Sequence, residues 1–134
     1  MMETLMLSLP FPPSVNAYWR APSRGRLKGR HMVSAKGRAY QTEACAAVFK
    51  QLHQRPLTLM GPVSVIVTLY PPDRRRRDLD NFNKALFDAL TRAGIWQDDS
   101  QIKRLLLEWG PVIPKGQVTV AVSEFDPEVI CAQS

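Results

Sequence analysis

Alternation and helical spacing of apolar positions divide this chain into a short series of elements. Val63 to Tyr70 reads VSVIVTLY, rich in β-branched residues, which predicts a strand. Ile102 to Trp109 and Val118 to Phe125 are strand-like too. Pro111, Pro114 and Gly116 lie between those two runs, so the pattern predicts that they pair as a hairpin. Thr4 to Leu9 is a short apolar run before Pro10, Pro12 and Pro13, and reads as a first strand.

Two segments carry helical spacing. In Ala35 to Gln54, residues Tyr40, Ala44, Ala47, Val48 and Leu52 form one stripe, Ser34 is a fitting N-cap, and Arg55 and Pro56 mark the end. In Asn81 to Ala93, residues Phe82, Ala85, Leu86, Ala89, Leu90 and Ala93 match the amphipathic template, and Gly94 suits the position just past a helix. Phe87 projects away from that stripe and reads as a partner surface. The expected order is therefore β-α-β-α-β-β. That order predicts an α+β domain, a mixed β-sheet with two main helices on a face, with the tail from about residue 126 outside the core.

Composition narrows the function classes. The chain has 134 residues, with 18 Lys plus Arg against 12 Asp plus Glu, a net charge of +6. That length suits one domain. At 45% hydrophobic and 22% charged residues, the composition argues against disorder. No run approaches the roughly 18 apolar residues of a membrane span, and the opening segment makes a poor secretory signal. Cys45 and Cys131 form neither a disulfide framework nor a zinc spacing. A cytoplasmic basic globule with an anionic partner is expected, with nucleic acid the first candidate.

Candidate chemistry gathers at the second helix. Asp78 and Asp80 flank Leu79, and in extended backbone both carboxylates face the same way while Leu79 turns inward. Two close anions need a counter-charge, and oxygen ligands suit magnesium or manganese. Lys84 and Asp88 follow Asp80 at four-residue steps along one helix face. The pair Asp98–Asp99 comes after the helix. Arg74, Arg75, Arg76 and Arg77 abut the first acidic pair and suit flanking phosphates. So does a basic loop holding Arg20, Arg24, Arg26, Lys28 and Arg30. An ion site beside a basic run is what metal-assisted phosphodiester hydrolysis requires.

Singly, each feature has a plainer reading. Asp80 reads as the N-cap of the second helix, Lys84 as a solvated residue pairing with Asp80, Asp98–Asp99–Ser100 as a turn, and Trp96 as a core anchor. A non-enzymatic basic DNA-binding module, or a basic surface for an acidic protein, stands as the rival.

The run PDRRRRDLDNFNKALFDALTRAGIWQDDSQI, Pro72 to Ile102, resembles the signature of RusA-type Holliday junction resolvases. LPFPPSVNAYWR, Leu9 to Arg20, and VSAKGRAY, Val33 to Tyr40, are similar to that family's other motifs. The resemblance covers nearly the whole chain. It implies a magnesium-dependent endodeoxyribonuclease, with manganese able to substitute, of a kind often encoded by phages and prophages. It implies a homodimer acting on four-way junction DNA in recombination and repair, with no membrane role. Asp78, Asp80 and Asp99 carry over as metal ligands, and Lys84 as the catalytic lysine. A nuclease acting on flaps or forks is the nearest alternative enzyme.

Overall fold

The computed structural model describes residues 4–20, 32–53 and 57–127. The strands are β1 (Leu5–Leu9), β2 (Trp19–Arg20), β3 (Met32–Val33), β4 (Val63–Tyr70), β5 (Ile102–Trp109) and β6 (Gln117–Glu124). The α-helices are α1 (Val15–Tyr18), α2 (Ala35–Leu52) and α3 (Asn83–Arg92), with 3-10 turns at Leu79–Phe82 and Asp99–Gln101. This is an α+β arrangement, a mixed sheet with α2 and α3 as its main helices. Sequence periodicity did not anticipate α1, which Ser14 caps through a hydrogen bond from the Ala17 amide, or the small β2–β3 ribbon.

The main sheet has the order β1-β6-β4-β5. Strand β6 runs antiparallel to both β1 and β4, while β5 runs parallel to β4 on its other side. The expected hairpin between β5 and β6 is therefore wrong. Burial explains the choice. Val118, Val120 and Val122 of β6 are buried, as are Val63, Val65, Val67 and Leu69 of β4, so β6 lies inside the sheet. Most of β5 is exposed, which suits an edge. The connection steps across the end of β4, where the Gly110 amide donates to the Leu69 carbonyl and the Ile113 amide to the Pro71 carbonyl.

One sheet face and two helices share the core. Leu7 and Leu9 of β1 join the β4 and β6 rows against Tyr40, Ala44 and Val48 of α2 and Ala85, Leu86, Ala89 and Leu90 of α3. Phe87 is also buried, edge-on to the Trp96 ring at 6.1 Å between centroids. It is a core residue and not a partner surface, because the chain after α3 folds back over that side. Trp96 is the expected anchor, and its indole N–H donates to Thr91 Oγ1 at 2.7 Å.

The return of the chain after α3 is built locally. Gly94 takes φ 87°, its amide donates to the Thr91 carbonyl, and the Ile95 amide donates to Leu90. This is the double closure that ends a helix with a left-handed glycine. Ile95 and Trp96 then turn into the core and lead the chain to Asp98 and Asp99.

Gly37 has a packing role that the sequence pattern hid. A Cβ there would lie 2.8 Å from both Tyr18 Cδ1 and Val33 Cγ1, and 3.0 Å from the Tyr18 carbonyl oxygen. Glycine weakens the first turn of α2 by about 1 kcal/mol relative to alanine. The close approach of α1 and β3 requires it. Gly37→Ala is expected to destabilise by about 1–3 kcal/mol despite its better helix propensity, since overpacking costs that much. Thermal unfolding of the variant checks this, and a rise in Tm would contradict it.

Candidate active site and nucleic-acid groove

The approach to the acidic pair is shaped by the arginine run. Asp73 opens it, accepting from the Arg75 amide at 2.9 Å and pairing with Arg77 Nη2 at 2.9 Å. Arg77 also donates to the carbonyls of Asp73 and Arg75, and its guanidinium lies 5.9 Å from the Phe11 ring centroid. Arg77 is thus the clasp of this loop, and it also lines the groove described below. Arg74, Arg75 and Arg76 remain exposed.

Asp78 stands at the N-terminal boundary of the Leu79–Phe82 turn in extended backbone, and its side chain makes no capping bond. Leu79 packs against the core while Asp78 and Asp80 are exposed, but Leu79 and Asp80 belong to the 3-10 turn, so the expected extended backbone holds only at Asp78. Asp80 is not the cap of α3. Phe82 occupies that position, with no side-chain cap. Among the described residues the ion pairs are Arg75–Asp73, Arg77–Asp73 and Lys84–Asp88, so none neutralises Asp78, Asp80 or Asp99.

Lys84 points forward along α3 and not back to Asp80. Its Nζ lies 3.2 Å from Asp88 Oδ1 and 5.5 Å from the Trp19 ring centroid. Asp88 Oδ2 accepts from the Tyr18 hydroxyl at 2.8 Å, and Tyr18 in turn accepts from Gln41 Nε2 at 2.6 Å. Burial first, then the bond to Asp88, pushes Tyr18 up to about 12, so it stays a neutral donor at ordinary pH.

Asp99 starts β5 from a fixed turn. Asp98 accepts from the Ser100 amide and hydroxyl, while Gln101 Oε1 accepts from the Asp98 amide and Gln101 Nε2 donates to the Leu59 and Gly61 carbonyls. Partial burial holds the Asp99 carboxyl above the usual range. The bond to Asp98 and its charge add to this, Lys84 opposes it, and Asp88 adds a smaller push. The charges of Lys84 and Asp88 thus both act on the Asp99 carboxyl.

The three aspartates do not meet in one chain. Among the described residues, no three His, Cys, Asp or Glu side chains gather closely enough to hold a metal ion. By donor chemistry the set still fits a hard divalent cation: it consists of carboxylate oxygens, two of them adjacent, exposed and free of any ion pair.

A groove of about 560 Å³ includes Asp78 in its lining. Lys36 at the start of α2 lines it together with Arg75, Arg76 and Arg77. Lys36 is a basic lining residue that sequence reasoning missed. A lone lysine one residue inside a helix reads as solvated, and only the packing of α2 beside the 72–82 segment brings it to the arginines. A smaller pocket of about 230 Å³ holds Arg74 beside Trp109. Of the basic loop, Arg20 closes β2, while Arg24, Arg26, Lys28 and Arg30 lie outside the described residues. No helix among the described residues is long and apolar enough to cross a membrane.

Comparison with known proteins gives a consistent result. The family model described as Endodeoxyribonuclease RusA matches residues 10–123. The protein named Crossover junction endodeoxyribonuclease RusA in Escherichia coli (strain K12) is 39% identical over 127 residues, covering 95% of this chain and all of the relative. Relatives of the same name in Shigella sonnei (strain Ss046) and Enterobacteria phage 82 are each 38% identical over the same shares.

The clasp has a pH signature. The Arg75 amide, then Arg77, holds the Asp73 carboxyl below its usual range. A depressed carboxylate contributes stability above its unfolded value and loses it as pH falls through the folded one. Carboxyl NMR titration should find Asp73 below the usual aspartate midpoint. Arg77→Ala should move it upward, and an unmoved midpoint would contradict the clasp.

Proposed function

The chain belongs to the RusA family of endodeoxyribonucleases, and from that premise we propose that it resolves four-way DNA junctions by paired, divalent-metal-dependent phosphodiester hydrolysis. The observation that carries the reading is the groove, lined by Lys36, Arg75, Arg76 and Arg77 together with Asp78. A phosphate backbone held by Lys36, Arg75 and Arg76 would bring a phosphodiester to Asp78 and Asp80. The net charge of +6 suits the same polyanion.

Asp78, Asp80 and Asp99 would hold the cation, with magnesium the best match and manganese a substitute. When bound, such an ion polarises the phosphoryl oxygen and lowers the pKa of a water. The reading requires Asp99 to join the adjacent pair when the enzyme engages its cation and junction. Lys84, held on Asp88 at 3.2 Å, would donate to the negative charge that develops as one P–O bond forms and another breaks. The exposed arginines hold the flanking phosphates in register, and Arg77 keeps their loop in shape. Two copies of the chain would supply the two cuts. The whole length would act as one domain, in the cytoplasm where its DNA lies.

A synthetic four-way junction incubated with purified protein and magnesium tests this. Asp78→Asn is expected to bind the junction as the parent does and to leave it uncut. Normal cutting by that variant would remove Asp78 from the ligand set. Lys84→Ala should slow single-turnover cutting about a hundredfold, the scale for losing one preorganised donor to transition-state charge. A protein that binds junctions but cuts nothing with magnesium or manganese would be a binding module and not a nuclease.

Lys36→Ala should weaken binding equally on all junction sequences. The slope of log affinity against log salt should fall by about 1, as for loss of one phosphate contact. An unchanged slope would place Lys36 off the DNA path.

A further inference from the structure

The carboxylate of Asp88 carries no role in the reading above, yet both of its oxygens are engaged, and through its partners it is linked to three further elements. Oδ1 takes the Lys84 ammonium at 3.2 Å, and Oδ2 takes the Tyr18 hydroxyl at 2.8 Å. Tyr18, at the end of α1, has no exposed surface, and Gln41 of α2 donates to its oxygen at 2.6 Å. Trp19 of β2 lies beside the lysine on another side, 5.5 Å from ring centroid to Nζ.

A surface i, i+4 ion pair on a helix contributes little to stability. This one is different in kind, because its acidic half is pinned through a buried hydroxyl to two other helices. A lysine side chain is long and rotamer-rich, and stabilises a transition state best when it is already in place. An ammonium has three donors. Asp88 occupies one, and the other two stay available. The Lys84 charge also acts on the Asp99 carboxyl, a proposed metal ligand.

We propose that Asp88 is a positioning residue. Anchored by Tyr18 and Gln41, it holds Lys84 where its remaining donors meet the charge of the cleaved phosphodiester. The inference rests on the assignment of Lys84 above. It adds that the lysine works only because a Gln41–Tyr18–Asp88 chain fixes it. The Tyr18 hydroxyl, neutral up to about 12, remains a donor to Asp88 over the whole working range.

The test is a double-mutant cycle on the full-length protein, read by single-turnover cutting of a four-way junction with magnesium, by junction affinity and by Tm. Asp88→Asn keeps an acceptor for Tyr18 and so keeps the fold. It should slow cutting about tenfold to a hundredfold, the scale of a small misplacement, with affinity within about twofold of the parent. In the Lys84→Ala background the same change should cost nothing further. Asp88→Glu should recover part of the rate. Tyr18→Phe should slow cutting in the same direction. As a readout apart from activity, the dimethylated Lys84 Nζ should give restrained methyl signals in the parent and freely averaged ones in Asp88→Asn.

An equal cost of Asp88→Asn with and without Lys84 would overturn the proposal. So would a loss of rate that merely follows a loss of Tm, or methyl signals unchanged by Asp88→Asn. If Lys84→Ala fails to cut while Asp88→Asn cuts normally, the lysine assignment stands and the positioning chain falls. If Lys84→Ala cuts normally, both fall.

Discussion

Like charges held close raise the energy of a fold unless a counter-charge meets them or one takes up a proton. Asp78 and Asp80 stand on either side of Leu79, which packs against the core, and both are exposed. No side-chain cation within the described residues pairs with either carboxylate. The nearby arginine Arg77 is engaged by Asp73, and the lysine one turn along α3 by Asp88. In the proposed function the unpaired carboxylates take a cation from outside the chain, next to a surface that attracts DNA.

That separation of charges explains why the basic and acidic residues do not simply cancel. Asp73 engages Arg75 and Arg77, and Asp88 engages Lys84. Arg77 closes the loop, and Arg75 and Arg76 line the groove. Asp73–Arg77 and Lys84–Asp88 stand at i, i+4, a spacing set by the chain itself. Asp80 has Lys84 at the same spacing, but Lys84 pairs forward with Asp88 and leaves Asp80 without an ion pair.

Much of this could be read from residues alone, for identifiable reasons. Strand β4 ends where its alternation ends, at Pro71, and α3 buries each member of the periodic stripe from Phe82 to Ala93. Leu79 does pack inward with Asp78 and Asp80 exposed, but from a 3-10 turn and not from the extended backbone that period two assumes. Pairing of strands was not readable, because a hairpin and a step across a neighbouring strand share the same proline- and glycine-rich connection. What decided it was the buried row of Val118, Val120 and Val122, which needs neighbours on both sides. Phe87 misled because helical phase ignores the chain that returns over α3 after Gly94. At the site, DRRRRDLD announced both charges, but nothing local in the sequence linked Tyr18 and Gln41 to Asp88, or Lys36 to Arg76. Those contacts join distant segments through packing.

The central claim is that Asp78, Asp80 and Asp99 together hold divalent metal in the working enzyme, although the isolated chain does not gather the three. Manganese binding to the junction-bound protein, followed by its paramagnetic signal, tests this most directly. Asn substitutions at Asp78, Asp80 and Asp99 are compared one at a time. The account predicts that each weakens the bound-ion signal by at least about tenfold at fixed metal, the lower bound for lost metal-site support. An Asp99→Asn protein that binds manganese as tightly as the parent would contradict it.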